Sequence, residues 1–140
     1  YGLAGLRIGY GIAHEDIICL LNRIRFPFNV ASLSLVGAMA ALKDVGFVSE
    51  SLALNKKGLA DYQACFHALK LAILPSIGNF ITIDLKSDVT PFFNFMLKQG
   101  IILRPLAAYQ LPNHLRISIG NETQNALAIE KIKQFWKEKI

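Results

Sequence analysis

Apolar residues recur at helical intervals in the first half of the chain. The segment AHEDIICLLNRIR begins with acidic residues, and its apolar residues share one helical face: Ile17, Leu20, Leu21 and Ile24. Acidic side chains favour the first turn of a helix, and a proline disfavours helical backbone in the residue before it. The pattern therefore predicts an amphipathic helix that ends before Pro27.

Two more helices are predicted before the pattern changes. The segment NVASLSLVGAMAALKD is rich in alanine, serine and glycine, and Asn29 stands at the position of an N-cap. Its small side chains predict a helix that packs closely against a neighbour. Gly46 is expected to separate this helix from a third, long helix that runs from Val48 to Leu74 and is closed by Pro75.

The period then changes to that of strands. The segment NFITIDL is rich in β-branched residues and predicts a strand, and the shorter segments IILRPL and HLRISIG predict two more. Between the first and second strands, SDVTPFFNFMLKQG predicts a helix with Ser87 or Asp88 as its cap and Gly100 as its stop. The inward face of that helix is expected to hold Val89, Phe92, Phe93, Met96 and Leu97.

A closing helix is predicted for NETQNALAIEKIKQFWKEKI, with Asn121 as its cap. Its predicted inward residues are Ala128, Ile132, Phe135 and Trp136. The order of elements, helices followed by strand, helix, strand, strand and helix, predicts an α/β fold. We expect a small α+β domain of about three strands with flanking helices, preceded by two or three helices, with the boundary near Asp44 to Phe47.

Composition narrows the class of protein. The chain has 140 residues, of which 53% are hydrophobic and 18% charged, and this is typical of a globular domain with one core. The net charge is +5, but the lysines are scattered, so the sequence does not support a nucleic-acid interface. The densest group lies in the predicted closing helix: Lys131, Lys133, Lys137 and Lys139. We expect a cytoplasmic protein, because no apolar run reaches the length of a membrane span and no signal peptide is evident.

Several familiar kinds of site are not indicated. Cys19 and Cys65 lack the spacing of paired ligands or of a disulfide framework, and the three histidines are too dispersed for a metal site. Those histidines are His14, His67 and His114. Ser32 and Ser34 lie in a predicted helix without a histidine partner, so nucleophilic catalysis is not predicted.

Three arginines stand at breaks in regular structure. Arg7 lies in the glycine-rich opening YGLAGLRIGYG, Arg104 precedes a proline, and Arg116 lies within a predicted strand. The loop PLAAYQLPNH is long enough to let the strands of Arg104 and Arg116 lie side by side with both guanidinium groups near one edge. Two such groups could hold a dianionic substrate or one with two anionic groups. The alternative is that they are solvated or paired in internal salt bridges, and the residues alone leave both interpretations open.

The chain resembles a known family in four segments. YGLAGLRIGYG resembles the segment that follows the Schiff-base lysine in pyridoxal-phosphate-dependent aminotransferases of fold type I. RFPFNVASLSLVGAMAAL, PSIGNFITIDL and GIILRPLAAYQLPNHLRISIG are also similar to that family, in its branch that acts on imidazole-bearing phosphate esters in histidine biosynthesis. The last segment is the most specific, since Gly-Ile-x-x-Arg-Pro is followed by Leu-Pro-x-x-Leu-Arg-x-x-x-Gly. The similarity covers essentially the whole chain.

The resemblance implies a role for each arginine. Arg7 would bind the phosphate of pyridoxal 5'-phosphate, with Gly2 and Gly5 letting the backbone pass close to this cofactor. Arg116 would bind the α-carboxylate of an amino-acid substrate, and Arg104 would bind the distal phosphate or side-chain carboxylate. These roles suit a guanidinium, which stays charged and binds oxyanions through two donors in one plane.

The resemblance also implies how the chain fits into a larger enzyme. Residues 1–45 would end the large cofactor-binding domain, and residues 46–140 would form a connecting helix and the small C-terminal domain of a homodimeric transferase. The Schiff-base lysine would precede Tyr1, so we expect no turnover from these 140 residues alone. The open alternatives are another aminotransferase or decarboxylase of the same fold, and a non-catalytic α/β binding module.

Overall fold

The computed structural model describes residues 1–137, which form five helices and four strands. The helices are α1 (Glu15–Ile24), α2 (Ser32–Lys43), α3 (Val45–Ala68), α4 (Thr90–Lys98) and α5 (Glu122–Lys137). The strands are β1 (Ala72–Leu74), β2 (Phe80–Asp84), β3 (Arg104–Leu106) and β4 (Leu111–Ser118). Short 3₁₀ turns span Ala4–Leu6 and Ala107–Tyr109. Lys139, assigned above to the closing helix, lies outside the described residues.

The chain divides into two compact units. The first is Tyr1–Glu50, and the second begins at Ser51, so the division falls within α3. The second unit holds one antiparallel sheet in the order β1-β2-β4-β3. The prediction of an α/β fold with a small α+β domain is therefore confirmed, with four strands where about three were expected.

The fourth strand comes from a segment predicted as helix. The helix predicted from Val48 to Leu74 is wrong at its end, because α3 stops at Ala68 and residues 72–74 form β1. Lys70 adopts a left-handed φ of 55°, and the Leu71 N–H donates to the Phe66 carbonyl over 2.9 Å, as in a helix C-cap. A short apolar run fits either a helix or a strand, and here antiparallel pairing with β2 supplies its backbone hydrogen bonds.

The predicted boundary between the second and third helices is also wrong. Asn29 is not the cap of α2, whose N-cap position is Ala31 without a side-chain hydrogen bond. Gly46 lies inside α3, and the break falls at Asp44. The Asp44 carboxylate accepts a 3.0 Å hydrogen bond from the Phe47 N–H, which satisfies a free donor in the first turn of α3.

The core of the second unit contains one face of the sheet and residues of α3, α4 and α5. Phe66, Ile81, Ile83, Met96, Leu115 and Ile132 are completely buried. The predicted inward face of α5 is confirmed, since Ala128, Ile132 and Phe135 are buried and the half-buried Trp136 packs edge-on against Phe92. Leu97 of α4 is exposed, contrary to prediction.

The predicted cap of α5 is observed in the structure, and Asp88 bonds to the start of α4 from one position before its N-cap residue, Val89. The Asp88 carboxylate accepts a 2.9 Å hydrogen bond from the Thr90 N–H. Asn121 and Gln124 form a reciprocal capping box before α5, in which each side-chain oxygen accepts from the other residue's N–H over 2.9 and 3.0 Å. Gly100 stops α4 in a left-handed conformation with φ of 77°.

No single helix within residues 1–137 is long and apolar enough to cross a membrane. Only α2 and α3 taken together, across a sharp bend, meet that requirement of length and composition.

Candidate active site

Arg104 of β3 and Arg116 of β4 lie directly opposite each other in the antiparallel sheet. Directly paired residues of antiparallel strands project from the same face, with Cβ atoms about 5 Å apart. Thr82 of β2 is paired with Arg116 on its other side, so the three residues form a row across the sheet. Because side chains alternate along a strand, this face is opposite the one that carries the buried Ile81 and Ile83.

The guanidinium of Arg116 is half-buried and fixed by a ring. Its Cζ lies 5.0 Å from the centre of the Phe80 ring, which is a favourable cation–π distance. Its Nε is buried and has no hydrogen-bond partner among the described residues. A buried donor without a partner is costly, and because the Nε is closed to solvent, a bound anion would have to reach the other N–H groups of this half-buried guanidinium.

Arg104 is held differently. Its side chain is exposed, its Nη2 donates a 2.9 Å hydrogen bond to the Tyr109 hydroxyl, and its Cζ lies 5.6 Å from the centre of that ring. Most of its N–H groups therefore face solvent. The two arginines thus differ: Arg116 is half-buried over an aromatic ring, and Arg104 is exposed and hydrogen-bonded to Tyr109.

No carboxylate neutralises this pair within residues 1–137, where neither arginine takes part in an ion pair. Like charges placed directly opposite each other across two strands are destabilising. An anion bound between the guanidinium groups would remove that cost and gain two-pronged hydrogen bonds. Internal salt bridges, the alternative left open by the sequence, are not found in the described structure.

The end of β4 beyond Arg116 is anchored by Asn125. The Asn125 amide accepts a 2.8 Å hydrogen bond from the Gly120 N–H and donates a 3.0 Å one to the Gly120 carbonyl. Asn125 is buried beside Gly58 of α3, where a Cβ would lie 2.7 Å from the Asn125 Nδ2 and 2.5 Å from Ile119. Only glycine allows α3 to approach the end of β4 this closely.

Arg7 belongs to the first compact unit and ends the 3₁₀ turn Ala4–Leu6. It has a left-handed φ of 54°, and its Nη1 donates to the Ala4 carbonyl of its own turn over 3.1 Å. The turn is tied to α2, because the buried Ser34 hydroxyl donates a 2.6 Å hydrogen bond to the Leu6 carbonyl. A Cβ on Gly37 would lie 2.7 Å from Leu6, which confirms the predicted close packing of this small-residue helix.

The surroundings of Arg7 fit a phosphate group. The guanidinium is exposed and keeps N–H groups that bond to nothing else among the described residues. Gly2 has a φ of 65°, a conformation that side chains disfavour, and nothing lies within 4 Å of a Cβ built on Gly5. The backbone around this cation is therefore open to an anion.

The remaining polar candidates have structural surroundings. Within residues 1–137 no three potential metal ligands come together. The His14 ring accepts a 3.4 Å hydrogen bond from the Asp16 N–H at the start of α1, and the His114 ring lies 3.9 Å from the Asp84 carboxylate on the neighbouring strand. Cys65 is buried, and burial raises the pKa of its thiol.

Sequence reasoning missed the residues that support the arginines. Phe80, Tyr109 and Ser34 each contact an arginine or its turn, yet none belongs to a motif of charged residues. Tyr109 lies in the loop that was interpreted only as a connection. The spacing of an aromatic residue five positions after an arginine, across a turn, was the one available signal.

The family model for aminotransferase class I and II matches residues 1–132. The chain is 44% identical to histidinol-phosphate aminotransferase 1 of Nitrosococcus oceani over 99% of its length, and 47% identical to histidinol-phosphate aminotransferase 2 of Pseudomonas fluorescens over 94%. It spans 37% and 36% of the length of these two curated relatives.

Solved structures agree in fold. The histidinol-phosphate aminotransferase of Sinorhizobium meliloti, in complex with pyridoxal-5'-phosphate, matches 96% of this chain with 39% of its own, at a TM-score of 0.79 and 26% identity. The enzyme of the same name from Clostridium acetobutylicum matches 98% of this chain with 43% of its own, at a TM-score of 0.86 and 21% identity, and shows the fold alone. The resemblance found in the sequence is confirmed, and the chain belongs to the aminotransferase class I and II family.

Proposed function

We propose that the full-length protein containing this chain is a pyridoxal-phosphate-dependent aminotransferase that moves an amino group between glutamate and imidazole-acetol phosphate, a step of histidine biosynthesis. The names of the relatives support this activity. The observation that carries the proposal is the directly opposed pair of Arg104 and Arg116, which has no carboxylate partner in the described structure. Such a pair suits a dianion such as a phosphate, or a substrate with two anionic groups such as glutamate.

The two arginines would bind different anionic groups of the two substrates, because glutamate carries carboxylates whereas histidinol phosphate carries only its phosphate. Arg116 would bind the α-carboxylate of glutamate, because its guanidinium is held over the Phe80 ring. A rigid clamp on the carboxylate orients the bonds at the neighbouring carbon, where the reaction takes place. Arg104 would bind the distal phosphate, since its exposed guanidinium has room for a bulkier anion.

Pyridoxal 5'-phosphate fits the first unit through Arg7. The free N–H groups of this arginine and the open glycine backbone would hold the phosphate, and Ser34 would fix the turn that carries them. When bound, the cofactor supplies a conjugated ring that accepts electrons from the substrate carbon. The residues of this chain would bind the cofactor and the substrate and orient them for the reaction.

We expect the full-length protein to be a cytoplasmic homodimer without nucleic-acid or membrane partners. Several large apolar side chains of α2 are exposed in the described chain, among them Leu33, Val36 and Met39. This exposure supports the burial of α2 against other protein in the full-length molecule.

The activity is tested with the purified full-length protein, pyridoxal phosphate, histidinol phosphate and 2-oxoglutarate. We expect glutamate and imidazole-acetol phosphate to form in equal amounts. Release of carbon dioxide from an amino acid instead would identify a decarboxylase of the same fold. Absence of both reactions, with the protein folded, would favour a non-catalytic module.

A further inference from the structure

Tyr109 touches Arg104 in two ways. Its hydroxyl accepts a hydrogen bond from Nη2, and its ring lies beside the guanidinium at 5.6 Å. This is the one hydrogen bond to a side chain that Arg104 makes within the described part of the chain. The phenol is therefore next to any anion that Arg104 binds.

A register shift and a turn of the backbone place Tyr109 beside Arg104. The pairing of β3 with β4 shifts register after Pro105, and the 3₁₀ turn Ala107–Tyr109 follows at once. Gln110 ends the turn with a left-handed φ of 61°. With the chain turned in this way, the Tyr109 ring lies beside the guanidinium of Arg104, five positions earlier in the chain.

The hydrogen-bonding capacity of the phenol leaves one donor unused. A guanidinium can only donate, so in the pair with Arg104 the Tyr109 oxygen must accept. The hydroxyl proton then has to point elsewhere, and no acceptor for it is found among the described residues. Tyr109 is 59% exposed, so this proton is accessible to a ligand.

We infer that Tyr109 is a specificity-determining residue whose hydroxyl donates to a phosphate oxygen of the substrate group held by Arg104. The inference rests on the proposed function and names a further residue of the same site. A carboxylate has two oxygens, which a guanidinium fork satisfies alone. A phosphate monoester has three terminal oxygens, and Tyr109 provides a donor for the one that the fork leaves over. The phenol thus favours a tetrahedral dianion over a planar carboxylate.

The test compares Tyr109→Phe with wild type in the full-length protein. This change keeps the ring beside Arg104 and removes only the hydroxyl. We expect KM for histidinol phosphate to rise about tenfold, the loss typical of one hydrogen bond to a charged group, with kcat unchanged. The kcat/KM for glutamate should not change. In the enzyme loaded with pyridoxal phosphate, so that the Arg7 site is occupied, calorimetric binding of inorganic phosphate should weaken about as much, while binding of acetate should not.

Two further variants keep the result interpretable. Tyr62→Phe removes the same atom from a buried tyrosine that makes no hydrogen bond to either arginine in the described structure, and should match wild type. Arg104→Ala should abolish phosphate binding. If Tyr109→Phe binds phosphate like wild type while Arg104→Ala does not, the inference is wrong and the proposed function stands. If wild type itself neither binds phosphate nor transfers an amino group, both the inference and the proposed function are wrong. Equal losses of Tyr109→Phe on histidinol phosphate and on glutamate would show that Tyr109 has a merely structural role, and would contradict the inference.

Discussion

The Ser34 hydroxyl donates a 2.6 Å hydrogen bond to the carbonyl of Leu6, 28 positions earlier in the chain. The bond joins α2 to the 3₁₀ turn that ends at Arg7. The serine was excluded as a nucleophile, and its contact shows a different use, which is to hold the turn of a candidate phosphate-binding arginine.

Replacing Ser34 by alanine should loosen that turn. Loss of the hydrogen bond leaves a part-buried carbonyl without its donor, and we expect the free energy of unfolding of the full-length protein to fall by about 1–2 kcal/mol. Affinity for pyridoxal phosphate should fall as well, and a fluorescence titration of the apoprotein measures it. Ser32→Ala, at the exposed start of α2, is the matched control. Equal affinities in the two variants would show that Ser34 does not support the site.

Gly58→Ala should destabilise the second unit. The new Cβ would lie 2.5 Å from the Ile119 side chain and 2.7 Å from the Asn125 amide, so α3 or the end of β4 must shift. Overpacking of this kind costs about 1–3 kcal/mol, which urea denaturation would detect as a lower midpoint. Gly11→Ala is the control, because nothing lies within 4 Å of its Cβ. A midpoint equal to that of the control would contradict the close approach described for Gly58.

Asp84 should contribute to loss of stability in acid. The Lys86 backbone N–H donates to its carboxylate over 2.8 Å and, with the Lys86 side chain, holds the pKa of Asp84 below its usual value of 3.8. A depressed pKa in the folded state means that this stabilisation is present above about pH 4 and is lost as the pH falls through the folded pKa. Asp84→Asn should therefore flatten the acid limb of a plot of urea midpoint against pH between about 2 and 6. Asp61→Asn, on exposed α3 surface, should leave the limb as in wild type.

Sequence patterns predicted elements well where local chemistry decides them. The Asn121 cap and the inward face of α5 depend on residues within or next to one helix, and both were predicted. β1 was not, because its apolar residues suit a helix equally and only pairing with β2, formed by residues farther along the chain, decides the outcome. The prediction of Asn29 as a cap was wrong although its side chain has the chemistry of a cap, because α2 begins three positions later.

The candidate site divides in the same way. Three arginines at breaks in regular structure were visible in the sequence, and so was the loop that lets β3 and β4 pair. Arg104 lies opposite Arg116 because of the register between β3 and β4. A shift of that register by one residue would place the two side chains on opposite faces of the sheet. The supporting contacts of Phe80 and Tyr109 depend on tertiary geometry and leave little trace in a single sequence.

Exchange of each strand arginine for alanine in the full-length protein tests the central claim, that Arg116 binds the carboxylate of an amino-acid substrate and Arg104 binds the phosphate of histidinol phosphate. Arg116→Ala should weaken every amino-acid substrate by about 2–4 kcal/mol in kcat/KM, because each substrate loses the clamp on its α-carboxylate. Arg104→Ala should penalise histidinol phosphate most and spare small neutral amino acids.

The most direct measurement is kcat/KM of wild type, Arg104→Ala and Arg116→Ala for histidinol phosphate and for alanine as a small neutral amine donor. The account predicts that Arg116→Ala loses activity most on alanine, whose carboxylate Arg116 would bind, whereas Arg104→Ala loses it on histidinol phosphate alone. Equal losses on both substrates in both variants would contradict a division of carboxylate and phosphate binding between Arg116 and Arg104.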